Sequence, residues 1–224
     1  MDWGAASVSF RLAVLTAVAL LPLALLLGRW LAISQAKGRP LVEALLLLPL
    51  LLPPTVIGFY LLSAFSRDSM LGSALGRFAG VSLVFSFEGL LVASLLVNLP
   101  FMVQPIQRAF AAIPHSLREA AWVSGLSGLA TFVRVELPLA WPGILAGIAL
   151  TFAHTLGEFG VVLMVGGSIP DQTKTLSIAI YDRVQAFDLA GANLMSLALL
   201  LLSLATLMVV LATGARQKRA LQDR

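Results

Sequence analysis

The sequence has no cysteine and only two histidines, His115 and His154. Disulfide frameworks, thiol catalysis and cysteine metal sites are thereby excluded. Charge is scarce as well: Asp, Glu, Lys and Arg make up 12% of the 224 residues, against roughly 25% in an average soluble domain. With 59% hydrophobic residues and a mean hydropathy of +0.95, the chain has too little polar surface to cover a water-soluble fold. It lacks a G-x-x-x-x-G-K-[ST] phosphate loop, an H-E-x-x-H pair and a G-x-S-x-G elbow, so the familiar hydrolase and nucleotide-binding signatures are missing. A pI near 10.1 could suggest a nucleic-acid surface, but no stripe of Lys and Arg alternates with aromatics. No nucleic-acid partner is expected.

In place of charge the sequence has long apolar runs. Five stretches, Leu12–Ile33, Glu43–Phe65, Leu83–Gln107, Pro138–Val165 and Leu189–Thr213, each reach the roughly 20 helical residues that a bilayer core of about 30 Å requires. The leucine runs at residues 45–48 and 199–202 do not alternate with polar residues, which excludes barrel strands. The reading is an all-α, polytopic membrane protein with about five transmembrane helices, one domain over residues 8–215 and a tail at 216–224. The first span follows Met1 and Asp2 without a basic segment and without a small-residue cleavage pattern. It is expected to be retained rather than cleaved.

The positive charges divide unevenly between the two sides. Arg29, Lys37, Arg39, Arg108, Arg118, Arg134, Arg216, Lys218, Arg219 and Arg224 fall on one side, and Arg11, Arg67, Arg77, Lys174 and Arg183 on the other. This ten-to-five bias predicts a cytoplasmic C-terminus and, with five spans, an N-terminus outside.

One inter-span segment carries a motif. Ser116 is a suitable N-cap, Glu119 stands three residues on to complete a capping box, and Gly125 supplies a stop. The expected helix has about eight residues and is marginal in isolation, so a partner must hold it. Ala120 and Ala121 are read as a smooth face for docking. Glu119-Ala120-Ala121, Gly125 after three residues, then Val135, Leu137 and Pro138 after nine more resemble the E-A-A-x3-G-x9-I-x-L-P signature of ABC importer permeases, with Val135 in place of Ile.

The resemblance implies a type I importer permease (MetI-like) fold in which residues 113–138 form a coupling segment. Glu119, Ala120, Ala121, Gly125, Leu137 and Pro138 would dock it on a separate ATPase and transmit that subunit's closure. Leu48–Tyr60, His154–Gly160 and Gly167–Tyr181 are further similar to permeases of the molybdate-transporting type, while sulfate and thiosulfate permeases share the signature and are the alternative. The resemblance also implies a homodimer in the bacterial inner membrane, two ATPase subunits, a periplasmic molybdate-binding protein and an oxyanion substrate. No cofactor is expected in this chain, and ATP-Mg would sit on the partner. A secondary transporter, the rival class, would show two related halves, and none is evident.

Outside the signature, Pro49, Pro53 and Pro54 fall inside one apolar span and should kink or break it. Irregular backbone at membrane depth belongs where it is buried or lines a cavity. Pro53, Pro54 and Thr55 are therefore candidate pathway or gate residues, with a static kink as the other reading. Glu158 lies about 30 Å along a helix from Pro138. An intramembrane carboxylate is a functional candidate, but it repels a dianion, so a role in holding the break between Gly157 and Gly160 is favoured, with His154 as a neighbour. Thr173 and Thr175 belong to an outer loop rich in neutral donors, suited either to an oxyanion path or to contact with a binding protein. Gly143 and Gly147 are spaced to let two helices approach closely. Glu43 and Glu88 sit at span starts, where an acidic group suits the helix dipole.

Overall fold

The computed structural model describes residues 1–79 and 82–222, and the side chains of these except at 75, 76, 78, 79 and 209–222. Arg224 and the side chains of Arg216, Lys218 and Arg219, which entered the charge argument, lie outside what is described. Among the described residues the secondary structure is helical throughout. The elements are α1 (Trp3–Ile33), α2 (Arg39–Leu51), α3 (Pro54–Phe65), α4 (Met70–Ala79), α5 (Phe87–Ala111), α6 (His115–Val123), α7 (Gly128–Thr131), a π segment (Phe132–Glu136), α8 (Leu137–Gly157), α9 (Gly160–Gly166), α10 (Leu176–Gln185) and α11 (Leu189–Gln222).

Among the described residues four helical stretches are long and apolar enough to cross a membrane, and a bent pair, α2 with α3, brings the number to as many as five. The helix through residues 213–222 is continuous with α11. The bend between α2 and α3 is 109°. It falls at Pro53 and Pro54, which have no N–H to donate and force the residue before each into extended backbone; Leu52 has ψ 140° and Pro53 ψ 136°. A second break lies between α8 and α9, at Glu158 and Phe159.

The centre of the molecule is a triple packing of α1, α5 and α8. Ala17, Leu20, Ala24 and Leu31 of α1 meet Met102, Val103, Ile106 and Phe110 of α5 and Ala140 and Ile144 of α8. Small residues allow this approach. A Cβ on Gly143 would lie 2.7 Å from the Pro105 carbonyl oxygen, and one on Gly147 would lie 2.8 Å from that of Met102, so both positions admit only hydrogen. The close-approach reading of this glycine pair holds.

Entry into α8 is irregular for a local reason. Pro138 cannot donate and its ring crowds the carbonyl four residues back. The preceding turn widens into the π segment, where the Leu137 N–H bonds to the Phe132 carbonyl five residues away. The result is a continuous 30-residue span, Gly128–Gly157, with a bulge that turns Glu136 inward. At the far end, Asp188 caps α11 by accepting from the Gly191 N–H at 2.9 Å. That bond and the adjacent Arg183 guanidinium hold the Asp188 carboxyl below the usual carboxylate range.

Candidate functional site

The signature folds into α6, a tight turn, α7 and the π segment. The turn follows from Gly125, whose φ of +84° is strained for any residue with a Cβ. The Leu126 N–H reaches the Ala121 carbonyl and the Gly125 N–H reaches that of Trp122, a Schellman closure. Ser127 then caps α7 through the Ala130 N–H.

Two local expectations need correction. Ser116 does not cap α6: the cap position is Pro114 and the helix starts at His115, two residues earlier than expected, which places Ser116 inside the first turn. No capping box forms, and the Glu119 carboxylate instead meets His115 Nδ1 at 3.0 Å. Nor do the two alanines share a face. Adjacent helical residues are about 100° apart; Ala121 is buried at 7% exposure while Ala120 is exposed. The outward face carries Glu119 and Ala120 with Leu117, Trp122 and Val123.

The inward face of α6 holds a group that sequence reasoning missed. Arg118 is 6% exposed and Glu136 is fully buried. Arg118 Nε donates to Glu136 Oε1 at 2.7 Å, and its two terminal nitrogens donate to the carbonyls of Ile113 at 3.1 Å and Phe110 at 2.9 Å. Arg29 of α1 joins from the other side, with Nη2 donating to Oε1 at 3.4 Å and Nε to Oε2, and its guanidinium lies over the Phe132 ring. The available signal was a lone carboxylate two residues before Pro138 in an apolar run. Its partners are 18 and 107 residues away, beyond the reach of any local pattern. Leu137 is half-buried and Pro138 exposed, immediately after the carboxylate.

The candidate pathway residues separate into two groups. Pro53, Pro54 and Thr55 are exposed at the bend. Pro54 packs against the start of α9, where a Cβ on Gly160 would lie 2.7 Å from its own Cβ. The two helix breaks thus meet, enclosing a cavity of about 180 Å³ whose polar wall is His154 and Glu158. Glu158 Oε1 accepts from the Val161 N–H at 3.2 Å, across the second break. His154 stacks on Phe101, contacts Asn98 Oδ1 at 3.1 Å and stands 3.8 Å from Glu158.

Thr173 and Thr175 lie apart from this cavity, and both are buried. Thr173 Oγ1 donates to the Gly166 carbonyl at 2.6 Å, and Thr175 Oγ1 pairs with Ser177 Oγ, which donates to the Glu158 carbonyl. Their hydroxyls therefore set the shape of the loop. Lys174 is engaged with Asp182 at 2.8 Å and Asp2 at 4.0 Å, which ties the start of α1 to the same loop.

Among the described residues, then, a bundle of long apolar helices with one bent helix pair carries a capped short helix anchored at one end. Residues 12–221 match the family described as binding-protein-dependent transport system inner membrane component, and the chain belongs to that family, whose members are permeases rather than catalytic subunits. The molybdenum transport system permease protein ModB of Azotobacter vinelandii is 44% identical over 86% of this chain and 85% of its own length. A probable sulfate transport system permease protein of Chlorella vulgaris is 34% identical over 79% and 66%. Among solved structures, a bacterial ABC transporter for alginate import superposes with a TM-score of 0.71 at 18% identity, covering 96% of this chain and 78% of that one. The MetNI methionine transporter gives 0.66 at 20%, covering 95% and 94%. The fold is that of type I ABC importer permeases.

Proposed function

We propose that this chain is the permease subunit of an ATP-driven importer for molybdate, forming the translocation path and coupling it to a separate ATPase. The observation that carries this reading is the segment 113–138. Its signature residues fold into a short helix whose outer face is exposed and whose inner face is held, through Arg118 and Glu136, to α1, α5 and α8. The identity to molybdenum permeases supports the choice of cargo, and the sulfate relative at 34% keeps a sulfate or thiosulfate importer as the second reading.

In this reading α6 docks through Glu119, Ala120 and Gly125 on an ATPase subunit that binds ATP-Mg, and Leu137 and Pro138 begin the span it drives. Two copies of the chain are required, because five spans cannot readily enclose a path for a hydrated dianion. The excess of Lys and Arg puts α6 and the C-terminus in the cytoplasm and the N-terminus outside. The cavity where the two breaks meet, between Pro54 and Glu158, is the gate candidate. Thr173 and Thr175 shape the outer loop that receives a periplasmic binding protein. Selectivity resides mainly in that protein, since a path must release what it carries.

The deciding experiment is uptake into proteoliposomes holding the complete transporter, with molybdate as substrate and sulfate and tungstate as competitors. ATP-dependent molybdate uptake that requires the molybdate-binding protein is expected. Uptake driven by a sulfate-binding protein alone establishes the second reading instead.

A further inference from the structure

We infer that the buried cluster Arg29–Glu136–Arg118 is the mechanical attachment of the coupling helix, so that Glu136 is a positioning residue through which movement of α6 reaches the membrane helices. This inference rests on the permease reading and deepens it.

The geometry leaves α6 few other attachments. Of its nine residues only Arg118 and Ala121 are buried, and an alanine methyl offers little grip against rotation or sliding. Beyond its short chain connections to α5 and α7, α6 passes a push on its outer face to the bundle through Arg118. That guanidinium spends its donors on three groups at once: Glu136 at the head of α8, the Phe110 carbonyl in the last turn of α5 and the Ile113 carbonyl in the connection that follows it. Glu136 in turn holds Arg29 of α1. A single carboxylate, fully buried, therefore ties α6 to α1 and to the head of α8, while Arg118 itself holds the end of α5.

The charges also balance locally. Two guanidinium groups against one carboxylate leave one positive charge, and the carbonyls that end α5 supply the negative pole of a helix dipole beside it. The planar guanidinium fork is rigid and directional, unlike an ammonium point charge. Buried ion pairs are weak contributors to stability when compared with apolar replacements. What they supply is a fixed relative geometry, which is what transmission of movement needs.

The test uses the complete transporter with its ATPase subunits, assayed for ATP hydrolysis with and without molybdate-loaded binding protein, and for uptake per ATP. Glu136→Gln keeps the shape but turns an amide donor toward an arginine. It should leave the assembled complex hydrolysing ATP without binding protein, while stimulation by loaded binding protein falls at least about tenfold, within the usual range of coupling factors. An apolar triple variant, Arg29→Met with Arg118→Met and Glu136→Leu, should assemble with a thermal midpoint close to the parent and be equally uncoupled. Parental stimulation in either assembled variant overturns the proposal. Failure of both variants to assemble assigns the cluster to folding and overturns it too. Absence of stimulation in the parent transporter with any binding protein defeats the permease reading itself, and is seen before the variants are compared.

Discussion

Gly125 makes the sharpest single-residue demand in the signature segment. Nothing lies within 4 Å of where its Cβ would stand, so the constraint is purely the positive φ. Gly125→Ala should cost about 1–2 kcal/mol of local conformational energy and lower uptake measurably while the protein still inserts. Gly125→Pro cannot adopt that φ at all and should abolish uptake, as read by accumulation in proteoliposomes; full uptake in the proline variant removes the coupling role. The same comparison of residues explains what local pattern could and could not convey. Gly125 was legible because its requirement is intrinsic to one residue. Ser116 was misread because the competing start at Pro114 depends on the chain leaving α5, and the alanine pair was misread because sequence adjacency does not give a shared helical face. Glu136 was invisible because its role exists only once α1, α6 and α8 are assembled.

At the level of elements, the α5–α8 contact depends on the absence of side chains at Gly143 and Gly147. Gly147→Val would drive methyl groups into the Met102 carbonyl and sulfur, and overpacking of this kind costs about 1–3 kcal/mol. A lower thermal midpoint in detergent is the expected result. The start of α11 offers a pH-dependent counterpart. The Asp188 carboxyl is held low by the Gly191 N–H and by Arg183, so its contribution is present above the unfolded carboxylate pKa and is lost as pH falls through the folded value. Hydrogen exchange at the Gly191 amide should accelerate at acid pH beyond the intrinsic rate, and Asp188→Asn should remove most of that pH dependence. Long apolar helices were legible from run length, and the bend at Pro53 and Pro54 from proline chemistry; the ends were not, since α1 starts at Trp3 rather than Leu12 and the run 138–165 is interrupted at Glu158 and Phe159. The π turn was not, because it is a compromise between Pro138 and the inward pull on Glu136.

For the whole molecule, orientation in the bilayer is the property that every partner contact depends on. Since the chain has no cysteine, a single cysteine at Ser124, exposed beside the turn, reports sidedness without background. It should react with an impermeant maleimide only when the cytoplasmic face is opened; labelling of intact spheroplasts overturns the proposed orientation. The π segment also bears on how such a chain can vary. A π turn holds one residue more than the α-helical path it replaces, so deleting one residue among 132–135 is absorbed by a return to regular winding, whereas deleting one from the regular turn Gly128–Thr131 rotates everything before it by about 100°. That rotation would carry α6 off the carboxylate it grips. The stretch between Gly125 and the π segment, residues 126–131, therefore acts as a ruler: insertions and deletions should be far less tolerated there than substitutions, and less than a single deletion inside the π segment.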